Sequence, residues 1–171
     1  MAIVHLRGGD DVEIRPIRSA DRRRLQLAYS HLSPETQYRR FLTIKPSLSE
    51  ADTEYLVEVD GYDHHAIVAT PVDNPEWILG VARFVRLPED PGAAEFAVVV
   101  GDPWQGQGLG AELLERLADA AVERDVQRFT ALVLAENGPA HALIRRLSGR
   151  FAPACERHLG IVDELEFQLA A

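Results

Sequence analysis

Hydrophobic and polar positions alternate along the 171-residue chain in two regimes. Period 2 governs "VEIRPIR" (12–18), which reads as a strand. Helical spacing follows it. Ser19 is placed to cap a helix through about Leu32, and Ser33 with Pro34 at the first helical position opens another over "SPETQYRRFL". Ser49 and Asp52 stand in capping-box spacing at the head of a third helix, "SLSEADTEYLVEV". The period then returns to 2. "HHAIVATPV" and "WILGVARFVRL", on either side of "DNPE", read as an antiparallel hairpin, and "PEDPGA" turns the chain into a strand over 94–101. Leu109, Leu113, Leu117 and Ala121 recur every four residues with Glu112, Glu115, Arg116 and Asp119 between them, the pattern of a helix with one buried face. "RFTALVLAEN" is apolar enough to predict a strand buried on both faces. A short helix, "PAHALIRRL", follows, and two strands around Gly160 end the chain, the last alternating as Leu165, Phe167, Leu169. The order β-α-α-α-β-β-β-α-β-α-β-β predicts an α/β fold, a mixed, mostly antiparallel central sheet flanked by helices. No repeat or linker interrupts it, so residues 1–171 are expected to form a single domain.

Composition narrows the function. An apolar fraction of 46% suits one globular core. No apolar stretch approaches the roughly 18 to 20 residues of a membrane span, and "MAIVHLRGGDDVEIRP" lacks the apolar centre of a signal peptide, so a cytoplasmic protein is expected. The lone cysteine, Cys155, reads as a small buried apolar residue in a reducing compartment. A net charge of -9 argues against nucleic acid. Residues 1–50 carry nine Arg or Lys against six Asp or Glu, whereas the rest carry nine against twenty-one. Such an acidic body favours a cationic partner or acceptor, and "RRRL" (22–25) reads as a solvated helix face. Among the histidines, adjacent His64 and His65 point to opposite faces of a strand, and His5, His31, His141 and His158 have no spaced ligand cluster, so no metal site is expected.

The segment "GDPWQGQGLG" puts Gly106, Gly108 and Gly110 at alternate positions where a helix starts. Missing β-carbons let the backbone approach an anion, and a helix start offers unpaired N–H groups, which points to a pyrophosphate. A nucleoside-triphosphate loop requires Lys and then Ser or Thr after its last glycine, and Leu109 and Ala111 flank Gly110 instead. Gly106, Gly108 and Ala111 fit the dinucleotide pattern G-x-G-x-x-A. There, however, the strand runs directly into the first glycine, whereas "DPWQ" intervenes here.

"QGQGLG" resembles the Q-x-x-G-x-G segment of the GCN5-related N-acetyltransferases (GNAT), with Gln105, Gly108 and Gly110 on the motif positions. "LAENGPAHALIRRL" stands in place of that family's N-x-x-A-x-x-L. "LSPETQYRRF" and "RFVRLPEDPGAAEFAVVVGDPWQGQGLG" look like the acetyltransferase domain of bacterial protein lysine acetyltransferases. The resemblance implies the GNAT fold, acetyl-CoA as cosubstrate, and an amine acceptor such as a protein lysine, in a monomer or homodimer. It further implies that backbone groups of Val98, Val99 and Val100 pair with the pantetheine arm as an added strand would. Amides of Gly106, Gln107, Gly108, Leu109, Gly110 and Ala111 would receive the pyrophosphate, with Gln105 ordering the turn. Asn137 would bond the cofactor arm, its alternative being an ordinary turn asparagine.

Acetyl transfer needs a neutral amine, yet a lysine of pKa about 10.4 is charged at pH 7, so a base is required. Glu95 shares a strand face with Ala97 and Val99, and family members use a glutamate here; its alternative is a solvent-facing strand residue. Many relatives follow the motif leucine with a tyrosine that can protonate the leaving thiolate, but here Ile144 follows Leu143. Ser148, His141 or water remain as acids. A small-molecule amine acetyltransferase and a non-catalytic acyl-CoA sensor are the competing readings.

Overall fold

The computed structural model describes residues 2–170. An N-terminal strand absent from the periodicity reading, β1 (Ala2–His5), precedes β2 (Asp11–Pro16). Three helices follow, α1 (Arg22–Ser30), α2 (Pro34–Phe41) and α3 (Glu50–Val57). The hairpin β3 (His64–Pro71) and β4 (Gly80–Leu87) leads into β5 (Asp90–Val100), α4 (Leu109–Val122) and β6 (Arg128–Leu134). The chain ends with α5 (Gly138–Arg146), β7 (Phe151–Leu159) and β8 (Val162–Leu169). All eight strands form one sheet in the order β1-β2-β3-β4-β5-β6-β8-β7, antiparallel except where β5 meets β6. The mixed, mostly antiparallel sheet expected from the pattern is therefore the observed one.

Strand alternation divides the core into two layers. Ile67, Ala69, Ala82 and Phe84 pack with Leu113, Leu117 and Ala121 of α4 on one face, whereas Ala66, Val68 and Val81 pack under Leu25 of α1 and Leu56 of α3 on the other. Five phenylalanines knit the first layer to the C-terminal strands, with Phe96 stacked on Phe129 at 5.0 Å between ring centroids. Ser33 and Ser49 cap α2 and α3 as their spacing predicts, the latter in a full capping box with Asp52.

Several local expectations are corrected. Ser19 does not cap the first helix. It begins a 3-10 turn (Ser19–Asp21), and the buried Asp21 carboxylate accepts from the Arg18 amide instead, held by Arg15 at 2.7 and 2.8 Å. Ser19 therefore lies inside the turn, one residue past the Arg18 cap position, where its hydroxyl cannot cap α1. "PEDPGA" is mostly strand, because β4 and β5 are joined by Pro88 and Glu89 alone and a register shift at Arg86/Leu87 absorbs the proline and glycine beyond. β6 is not buried on both faces along its length: Phe129, Ala131 and Val133 point inward, whereas on the other face Leu134 is covered but Leu132 is 46% exposed. Among the described residues, none of the buried ones packed under α1 and α3 comes from β6, β7 or β8, so those helices do not cover the second face of these strands. Cys155 is exposed rather than buried, because β7 is an edge strand whose residues after Phe151 all face solvent.

Candidate active site

The site begins where two strands part. β5 pairs with β4 from Val100 back to Ala94, but with β6 only at Ala93, Ala94 and Glu95. Beyond Glu95, β6 continues along β8, and Phe96 to Val100 keep one neighbour instead of two. The Gly101 amide donates to the Leu79 carbonyl across the β4–β5 ladder at 2.8 Å. Hydrogen-bonded pairs alternate in an antiparallel ladder, so Val99 is tied to β4 while Val98 and Val100 turn their N–H and C=O groups to the open side. The Val100 carbonyl accepts from Gln105 Nε2 at 3.0 Å, which orders the turn leading to α4. An unpaired strand edge of this kind suits an extended amide chain.

The glycine turn follows a short 3-10 segment (Asp102–Trp104). Gly106 and Gly108 have φ of +73° and +98°, and a β-carbon at either would meet nothing within 4 Å. Gly110 serves differently, since a β-carbon there would lie 3.1 Å from Leu143 Cδ2 on α5. Among the described residues, the amides of Gly106, Gln107, Gly108, Leu109 and Gly110 donate to nothing, whereas Ala111 donates to the Gly108 carbonyl at 3.1 Å. Five free amides at the positive end of a 14-residue helix make an anion cradle. The side chains of Gln107 and Leu109 point away from it. Gln107 Nε2 donates to the Pro103 carbonyl at 2.9 Å, and Leu109 is in the core. Asp102 clamps the turn to α2, accepting from the Ser33 amide at 3.0 Å, the Ser33 hydroxyl at 2.7 Å and the Thr36 hydroxyl at 2.8 Å. Burial pushes its carboxyl up, but those hydrogen bonds outweigh it and hold the carboxyl below its ordinary range.

A cleft of about 350 Å³ joins Val98, Val99 and Val100 to Gln105, Gly106 and Gly108, with Gly110, Ala111 and Asn137 on its walls. Asn137 caps α5, its side-chain oxygen accepting from the Ala140 amide at 3.2 Å. Its amide nitrogen has no partner among the described residues, so a capping role and a cleft-lining role coexist. Next to this cleft lies a cavity of about 410 Å³ between α2, α3 and the sheet, with Glu95 on its wall. Glu95 is thus exposed, and it is also part of a cavity.

That cavity is rich in charge. Arg83 is buried and donates twice to the Leu56 carbonyl, at 3.2 and 3.1 Å, at the end of α3. Burial and then the Arg40 charge draw its pKa down to about 9. His64, lowered to about 4 by burial and by Arg83, lies neutral 3.1 Å from that guanidinium. Lys45 is paired with Asp52 at 2.8 Å. Arg40 is half-buried over the Phe41 ring, 4.6 Å from its centroid, and lines both the cleft and this cavity. Sequence patterning did not single out Arg40. The available signal was its place four residues after the buried Thr36, on one face of α2. His141 and Ser148 line neither space, and His141 is occupied by the Leu134 carbonyl and Asp163, each at 3.3 Å.

Residues 26–149 match the acetyltransferase (GNAT) family. The chain belongs to that family. Acetyltransferase Pat of Mycolicibacterium smegmatis is 38% identical over 148 residues, which are 84% of this chain and 43% of that protein. The GNAT chain thus spans less than half of that relative's length. Its structure is similar to the crystal structure of the GNAT domain of S. lividans PAT, with a TM-score of 0.87 and 31% identity, covering 98% of this chain and 96% of that one. The fold also recurs in yncA, a putative acetyltransferase from Salmonella typhimurium, with a TM-score of 0.71 and 19% identity over 92% of each chain. The resemblance of "QGQGLG" to the GNAT family is borne out, and the chain has the GNAT fold. No helix among the described residues is long and apolar enough to cross a membrane.

Proposed function

We propose that residues 1–171 form one N-acetyltransferase domain that moves an acetyl group from acetyl-CoA to a primary amine, a lysine side chain of a protein, with Glu95 as general base. The observation that carries this reading is the continuity of the site: an open β5 edge and a five-amide cradle share one cleft, and the Glu95 cavity adjoins it. The residues fit acetyl-CoA, since the cradle is open where β-carbons are missing and the strand edge is unpaired. The yncA structure, which shares the fold, was determined with its cofactor acetyl-CoA.

On this reading the amides of Gly106 to Gly110 hold the pyrophosphate, and Val98 and Val100 bond the pantetheine arm. Gln105 fixes the turn and Asn137 offers its free amide hydrogens. When bound, acetyl-CoA supplies an activated acyl carbon. Glu95 takes a proton from the acceptor ammonium, directly or through water, so that a neutral nitrogen can attack. The protein-lysine acceptor draws on the resemblance of "LSPETQYRRF" and the β4–α4 segment to bacterial protein lysine acetyltransferases and on the acidic body of the chain.

The test is Glu95→Gln, which keeps size and removes the base. Turnover is expected to fall by roughly 10² to 10⁴ at pH 7, with CoA affinity and melting temperature unchanged. The loss should shrink at high pH, where more of the amine is already neutral. Measured kcat against pH on lysine-bearing proteins and on small amines reads both the base and the acceptor. A variant within about threefold of the parent from pH 6 to 9 removes Glu95 from the mechanism.

A further inference from the structure

Acyl transfer from a thioester ends with a sulfur that carries away the electron pair of the broken bond. A thiol of pKa about 8.5 is a poor leaving group as a bare thiolate in an apolar cavity unless a proton or a positive charge meets it. The space where β5 and β6 diverge, about 80 Å³, is walled by apolar side chains such as Phe96, Leu143 and Ile144. Apart from Asn137, its polar side chains are the arginines Arg39 and Arg40, and no hydroxyl, thiol, imidazole or carboxyl group lines it. Arg39 is ion-paired with Glu35. Arg40 has no hydrogen bond and no ion pair among the described residues, and it lines this space, the cofactor cleft and the Glu95 cavity alike. One guanidinium therefore stands at the junction of all three, its charge not consumed by the fold.

We propose that Arg40 holds the departing sulfur of the acyl donor as a thiolate, so that this domain transfers acetyl groups without a proton-donating side chain. The inference rests on acetyl-CoA lying in the cleft with Glu95 as base. The acceptor ammonium gives one proton to Glu95, and its nitrogen lone pair forms the new C–N bond at the thioester carbon. The C–S bond breaks with its electron pair on sulfur, and the nitrogen's second proton goes to solvent. Arg40 gives up no proton; it only balances the charge that appears on sulfur.

The charged and titratable groups around Arg40 are Glu95 on β5, Arg83 on β4, Tyr29 on α1, Arg39 on α2, Asp52 and Tyr55 on α3, and Lys45 before it. Burial weakens the hold of the guanidinium on its proton, while the Glu95 charge opposes that effect. The Arg40 guanidinium is charged at neutral pH. On the side of the space where β5 and β6 diverge the walls are apolar, which strengthens the attraction of the guanidinium for a thiolate there.

The deciding measurement needs no acceptor. CoA is first titrated calorimetrically to establish binding, and the thiol of the bound CoA is then titrated by the ultraviolet absorbance of the thiolate. The parent should lower that thiol's pKa by about one unit or more, a tenfold or larger shift toward thiolate. Arg40→Gln should return it to the value of free CoA, and Arg40→Lys should fall between, with both variants folded by melting temperature. In turnover, Arg40→Gln should lose on the order of 10²-fold in kcat at unchanged acceptor KM, and unlike Glu95→Gln the loss should not shrink as pH rises. The proposal is overturned if CoA bound to the parent titrates like free CoA, or if Arg40→Gln leaves the titration where it was. It is equally overturned if the substitution raises acceptor KM with kcat preserved, which assigns Arg40 to the acceptor. Failure of CoA to bind the parent removes the acetyl-CoA reading itself, and this one with it. Should Arg40→Gln fail to fold, the parent and Arg40→Lys titrations decide.

Discussion

Gly108→Val tests the anion cradle most directly. Gly108 is the N-cap of α4 at φ +98°, ψ -11°, outside the range a β-branched residue adopts without strain. Holding valine there costs about 1–3 kcal/mol. For a chain of this size, each kcal/mol lowers the melting temperature by roughly 2–4 °C, so a drop of about 2–12 °C is expected. A β-carbon at this site meets no protein atom within 4 Å, so the substitution does not damage packing. Whatever it obstructs is a ligand. Valine keeps its N–H, but displacing a charged group from one amide donor forfeits about 1.5–3 kcal/mol, equivalent to roughly 10- to 100-fold in Kd. Calorimetric titration with CoA, below the melting temperature of the variant, reads this loss, and differential scanning reads the strain. If folded Gly108→Val binds CoA as tightly as the parent, the free amides of Gly106 to Gly110 do not hold the pyrophosphate, and the positive φ angles serve only to turn the chain.

Two further outcomes are expected. Asp21 is held down to about 2 from an ordinary 3.8; burial pushes it up, but hydrogen bonds from Arg15, the Arg18 amide and Arg24 outweigh that. The folded value lies below the unfolded one, so this contribution to stability is fully present above about pH 4 and fades as pH falls toward 2. Denaturant midpoints at pH 6 and pH 3 should differ, and Asp21→Asn, which is expected to be less stable at pH 6, should narrow the difference. Asp102→Ala leaves the Ser33 amide and two hydroxyls without their shared acceptor, a loss of about 1–3 kcal/mol that loosens the glycine turn from α2. Melting temperature should fall by several degrees and CoA affinity with it; unchanged affinity would mean that the turn holds its shape without the clamp.

Local chemistry determined most of what the chain itself could announce. Pro34 behind Ser33, the Ser49–Asp52 pair and the four-residue repeat from Leu109 to Ala121 depend on neighbours within a turn or two, so they mark α2, α3 and α4 without reference to the rest of the fold. Gly106 and Gly108 are likewise legible, because a positive φ favours glycine, although Leu42 and Asp125 adopt one here without it. The tertiary structure decided everything that depends on what covers what. Leu132 and Cys155 look like core residues in sequence, yet both lie exposed, because the helices that seal one face of the sheet over β2 to β4 do not extend across β6 to β7. Ser19 caps no helix, because the turn there is set by Asp21, which binds the Arg18 amide and Arg15 on β2. The open edge of β5 exists only because β6, paired with β8 along its whole length, parts from β5 after Glu95, a choice made by pairings between segments far apart in the chain. For the same reason Arg40 was invisible beforehand. Its importance lies in having no partner at the meeting of three cavities, and a sequence records which charges a protein carries but not which of them the fold leaves uncompensated.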